Sequence, residues 1–140
     1  MNREICIHHL KHACIACDLA QEISISIILS TPPHALAYTS VDYFREIFRI
    51  TQSKYPGVQA KYILDCSGYP GMAMNALRQR VKHIRYLDDQ KFTQQLLSMA
   101  QQQEIMLVTN PAASVFDLLD QKNNREALYS WLTSVKEQDL

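Results

Sequence analysis

Glycine is scarce in this chain. Only Gly57, Gly68 and Gly71 occur among 140 residues. A phosphate-cradling P-loop or a dinucleotide-binding turn needs several closely spaced glycines, so neither can be written here. Net charge is missing too. Lys+Arg and Asp+Glu number 14 each, which gives no basic field to attract nucleic acid or an anionic membrane surface. Long apolar runs are also lacking. The first twelve residues mix charge, His and apolar side chains, so neither a signal peptide nor a bilayer-spanning helix is expected. Cys6, Cys14, Cys17 and Cys66 do not have the spacing of a disulfide scaffold. Free thiols in a reducing cytoplasm are expected.

What is present is an ordinary globular composition, 47% hydrophobic and 20% charged, in a chain the size of one domain. The spacing predicts a helix over residues 3–20, with Ile7, Leu10, Cys14 and Cys17 as its apolar stripe. A β-branched strand is expected over 23–29, broken by Pro32-Pro33. Thr39 or Ser40 can cap a helix that ends at Tyr55-Pro56-Gly57. Next come a strand over 60–66, a helix over 71–80 and a strand over 83–87. A helix capped by Asp88 or Asp89 leads to a strand over 105–108. Short helical segments near 114–119 and after Asn123-Asn124 complete the chain.

Alternating helices and strands imply an α/β domain of about four parallel strands, spanning 1–140 without an internal boundary. Two architectures fit, a partial barrel and a small doubly wound sheet. Fully sandwiched strands read as continuous apolar runs. Here one face of the first and third predicted strands is semi-polar, through Ser24 and Ser26, and through His83 and Arg85. That favours the barrel arc.

The stretch Tyr62-Ile63-Leu64-Asp65-Cys66-Ser67-Gly68-Tyr69-Pro70-Gly71 reads as a buried strand, a turn and a helix start. Ligands of parallel α/β sheets sit at such junctions. Asp65 is a candidate acid or base, though a turn acceptor for the amides that follow it is the favoured reading. Cys66 is a candidate nucleophile, though packing is the favoured reading. Ser67, Gly68 and Gly71 can present amides to a small or anionic ligand. His34 and Tyr38, after the first predicted strand, fall on the same rim. The cluster Cys6, His8, His9, His12, Cys14 and Cys17 has the composition of a metal site. Its Cys14 and Cys17 share the apolar stripe of one helix, however, so no metal is expected there.

The segments Leu64-Asp65-Cys66-Ser67 and Ala76-Leu77-Arg78-Gln79-Arg80-Val81, followed by His83-Ile84-Arg85-Tyr86, resemble the early part of the class II fructose-bisphosphate aldolase barrel. In that family a strand ends Leu-Asp-His-Gly and a helix ends Ala-Ile-x-x-Gly-Phe. The resemblance implies that Asp65 matches the proton-transferring acid. Cys66 stands where the family has a metal-binding His, and Arg80 replaces a Gly. The chain is also similar to short bacterial proteins whose strand reads Leu-Asp-Cys-Gly.

The expectation is a non-catalytic or vestigial aldolase-barrel-like protein that binds a small molecule or plays a regulatory part, without cofactor or metal. The enzyme alternative is a lyase-like or thiol-dependent activity at Asp65 and Cys66. Residues 63–68 also resemble the central strand of sulfate-transporter and anti-sigma-antagonist modules, which implies a protein-interaction alternative. The open edges of a short parallel sheet imply a homodimer.

Overall fold

Every strand of the sheet runs parallel, and the strand order is β5-β4-β3-β2-β1-β6. A computed structural model describes residues 3–88 and 90–138. Its elements are β1 (Glu4–Cys6), α1 (Leu10–Ile23), β2 (Ile27–Ser30), α2 (Val41–Lys54), β3 (Ala60–Asp65), α3 (Pro70–Arg78) and β4 (His83–Arg85). They continue with α4 (Gln90–Gln102), β5 (Met106–Val108), β6 (Val115–Asp117) and α5 (Asn124–Gln138).

The order from β1 to β5 never reverses. Repeated right-handed crossovers in one direction place every connecting helix on the same face of a sheet. The helices accordingly touch in sequence, α5 on α1, α1 on α2, α2 on α3 and α3 on α4. The chain is therefore a singly wound arc, and the doubly wound alternative does not apply.

The sheet must also curl. The six-residue connection 109–114 joins one edge strand to the other. It reaches about 24 Å at full extension. Six strands laid flat would already span about 24 Å, before the length of a strand is added.

Alternation along the strands divides the residues cleanly. Ile5 and Leu29, paired with Tyr62, and Leu64, Ile84 and Leu107, paired with one another, lie on the helix side, where they pack with Ala16, Phe44, Ala76, Leu77, Leu96 and Leu132. The other face carries Glu4, Cys6, Ser30, Asp65, Arg85, Val108 and Asp117.

Six strands replace the expected four. Glu4–Cys6, within the helix expected over 3–20, is a strand. It forms a strand because β2 and β6 flank it on both sides. Val115–Asp117 is strand rather than helix for the same long-range reason. The first helix starts at Leu10 and runs on to Ile23. Ser24 ends it in the left-handed conformation, with φ at 63°, so β2 begins only at Ile27. Ser40, not Thr39, caps α2, and its side chain accepts the Tyr43 amide hydrogen. Asp89, one of the two candidate caps of α4, lies outside the described residues. Among the described residues, no helix is long and apolar enough to cross a membrane.

Candidate functional site at the carboxyl ends of the strands

In singly wound (β/α) arcs, the loops after the strands converge on one rim, where ligands and catalytic groups are found. Strand β3 delivers Asp65 to that rim. The Asp65 amide donates to Thr31 Oγ1 at 2.8 Å, which ties it to the end of β2. Its Oδ1 accepts the Ser67 amide at 2.9 Å and so closes an Asx turn. Ser67 Oγ in turn accepts the Leu87 amide at 3.0 Å. Gly68 adopts φ of 80°, a conformation that glycine takes without strain. Beside it, the His34 ring packs edge-on to Tyr69 at 6.1 Å.

Asp65, Ser67, Gly68 and His34 are thus brought together. Cys66 is not part of that cluster. It is fully buried in the core, and desolvation, reinforced by the Asp65 charge, pushes its thiol up to about 12. That is the opposite of the activation a nucleophile requires. Tyr38 is 71% exposed. Gly71 lies in the first turn of α3, also exposed.

Beneath this rim, Arg85 forms a bidentate pair with Glu4, at 2.6 and 2.7 Å. Both residues are buried. The hydrogen bonds that Arg85 donates to Glu4 hold the guanidinium pKa above its ordinary value. Among the described residues, Arg85 Nε is buried without a hydrogen-bond partner. Such a donor calls for a water or a ligand.

A cleft of about 620 Å³ opens at the carboxyl ends of β4 and β5. It is lined by Tyr86, Leu87, Asp88, Gln90, Thr93, Gln94, Leu97, Thr109 and Asn110. Leu87 joins it to Ser67 through the hydrogen bond above. The rim cleft therefore lies beside the β3 junction rather than on it. Sequence reasoning missed its lining because the cleft joins the start of α4 to loop residues after β4 and β5, which only the fold brings together. A larger cleft of about 660 Å³ lies away from this junction, between α1 and α5.

A second cluster sits at the ends of β1 and β6. His8 Nε2 lies 2.7 Å from Asp117 Oδ1 and 3.8 Å from Cys6 Sγ. The His8 amide donates to His12 Nδ1 at 3.1 Å. Burial, and then His9 and His8, push the His12 imidazole down to about 4, so it stays a neutral acceptor. His8 precedes α1, which starts at Leu10, whereas His12 lies within it. Cys14 and Cys17 belong to α1, with Cys17 in the core. Asp117 could not be linked to this cluster from sequence, because it lies 109 residues from His8.

No protein-family model matches the chain, and no curated protein matches it in sequence. Its structure is similar to that of a protein from Coccidioides immitis assigned as a fructose-1,6-bisphosphate aldolase, with a TM-score of 0.61 and 13% identity. The match covers 93% of this chain and 52% of the other, so the chain spans about half the length of that protein. At this identity the likeness is one of fold, an aldolase-like α/β arc of parallel strands.

Proposed function

We propose that the chain is a non-catalytic binding protein for a small hydroxylated molecule, held in the cleft at the carboxyl ends of β4 and β5. The chemistry of the cleft carries this reading. Its lining offers Asp88, Gln90, Thr93, Gln94, Thr109 and Asn110 as hydrogen-bonding groups, and none of the described lining residues is cationic. A phosphate or carboxylate would face the Asp88 carboxylate there with no cation among the described lining residues to balance its charge, whereas a polyol or neutral sugar can use both the donors and the acceptors. The buried guanidinium of Arg85 is already paired with Glu4. The buried thiol of Cys66 weighs against a thiol-dependent enzyme. The turn role of Asp65 Oδ1 weighs against a free general base.

Isothermal titration against neutral aldoses, polyols and their phosphates tests the reading. Neutral compounds are expected to bind more tightly than the phosphates, and Asp88→Ala combined with Asn110→Ala is expected to remove the binding. Preferential binding of the phosphates would overturn it. So would cleavage of a ketose bisphosphate that is lost in Asp65→Asn.

A further inference from the structure

The cluster at the ends of β1 and β6 has a geometry that the ligand-binding reading does not use. Cys6, His8 and Asp117 offer one ligand atom each, and these atoms all lie within 4.8 Å of one another. Two of the three separations are 2.7 and 3.8 Å. Tetrahedral zinc with its usual bonds to sulfur, nitrogen and oxygen has ligand–ligand edges of about 3.4–3.6 Å. The observed values bracket that range, so small side-chain shifts suffice to seat an ion.

A relay of the Cys–His–Asp kind is the competing account. It needs the thiol on one imidazole nitrogen and the carboxylate on the other. Here both partners converge on the same atom, Nε2 of His8. A single nitrogen cannot take a proton from the thiol while bound to the carboxylate. Three ligand atoms gathered around one point is the arrangement of a cation site.

The surroundings agree with this. The carboxylates of Asp117, Glu4, Asp65 and Asp120 lie around Cys6, and among the described residues the Arg85 guanidinium is committed to Glu4. The ligand side chains are also held in place. Cys6 is fixed by β1, flanked by β2 and β6. The amide of His8 is held by His12. Asp117 Oδ1 also accepts the Leu119 amide at 2.9 Å. Access is open on one side, since the His8 and Asp117 side chains are 16% and 37% exposed.

We propose that Cys6, His8 and Asp117 form a divalent-metal site of the zinc type, with the fourth position left to water. On binding, the Cys6 thiol gives its proton to solvent, the His8 ring proton leaves Nε2 and is carried on Nδ1 instead, and the metal takes the place of the His8–Asp117 hydrogen bond. This is not the position matched to the aldolase metal ligand, which falls on Cys66.

The test uses the full chain, stripped with chelator and titrated with zinc and with cobalt. Elemental analysis is expected to give one zinc per chain. Cobalt is expected to show a tetrahedral visible spectrum with a thiolate charge-transfer band. Cys6→Ser should abolish that band, and Cys14→Ser should leave it unchanged. Asp117→Asn keeps an acceptor for Leu119 and should fold normally by circular dichroism, yet weaken cobalt binding by about tenfold or more. Substoichiometric zinc, a band that survives Cys6→Ser, or unchanged affinity in folded Asp117→Asn would each overturn the assignment.

Discussion

Glu4 and Arg85 lie three strands apart in the sheet and yet form a bidentate ion pair at 2.6 and 2.7 Å. In a flat sheet, three spacings would hold them about 14 Å apart, with both side chains standing perpendicular to the sheet. The pair closes because the arc curls its polar face inward. It also ties the first ordered strand to the fourth.

Removing either partner should therefore be severe. Glu4→Gln or Arg85→Met leaves a buried charge unpaired and is expected to cost about 3–5 kcal/mol. The double variant Glu4→Met/Arg85→Met should lose less than the sum of the two single variants, because no charge is then orphaned. Urea unfolding of the four proteins measures this coupling, and strict additivity would mean that the two side chains do not act as a pair.

The Asx turn at Asp65 makes a smaller prediction. Asp65→Ala removes the acceptor of the buried Ser67 amide and is expected to cost about 1–3 kcal/mol. Asp65→Asn retains an oxygen at that place and should cost less. Thermal melts of the two variants give the ranking, and equal losses would show that the charge, not the turn, matters.

Alkaline conditions should expose the burial of Cys66. Its thiol is pushed up to about 12 in the folded chain, against 9.0 for an unperturbed thiol. The folded state then holds its proton while the unfolded state loses one. The stabilisation is complete below pH 9 and is lost as pH rises from 9 towards 12. At pH 10.5 the loss from this thiol is on the order of 2 kcal/mol. Stability measured against pH should fall less steeply above pH 9 in Cys66→Ala than in the parent. Parallel curves would mean that Cys66 is not protected from ionisation.

The sheet edges predict association. Met106 on β5 and Val115 on β6 are 54% and 43% exposed, on the two strands that lack an outer partner. Unpaired edges carrying apolar side chains favour a second copy. A two-fold dimer burying about 1,500 Å² or more is expected, and light scattering should give twice the chain mass. A monomer at high micromolar concentration would overturn this, and Met106→Lys should shift the balance towards monomer.

Local chemistry was enough to place much of the framework. The amphipathic spacing of Phe44, Ile47 and Phe48 marks α2, and Pro70 and Gly71 mark the start of α3, because helices are written by short-range periodicity and breakers. The apolar run ending at Asp65 marks β3 for the same reason, and the semi-polar second face of the strands pointed to an arc. The Asx turn was equally readable, since its donor and acceptor are two residues apart.

Only the tertiary structure decided the rest. Glu4–Cys6 and Val115–Asp117 fall locally within segments that read as helical, and they become strands by pairing with each other, and β1 also with β2. That pairing turns four strands into six. It also carries Asp117 to His8 and Cys6, and the resulting curl carries Glu4 to Arg85. Contacts across 81 and 109 residues are energetic consequences of closing the sheet, and no local pattern in a single chain records them.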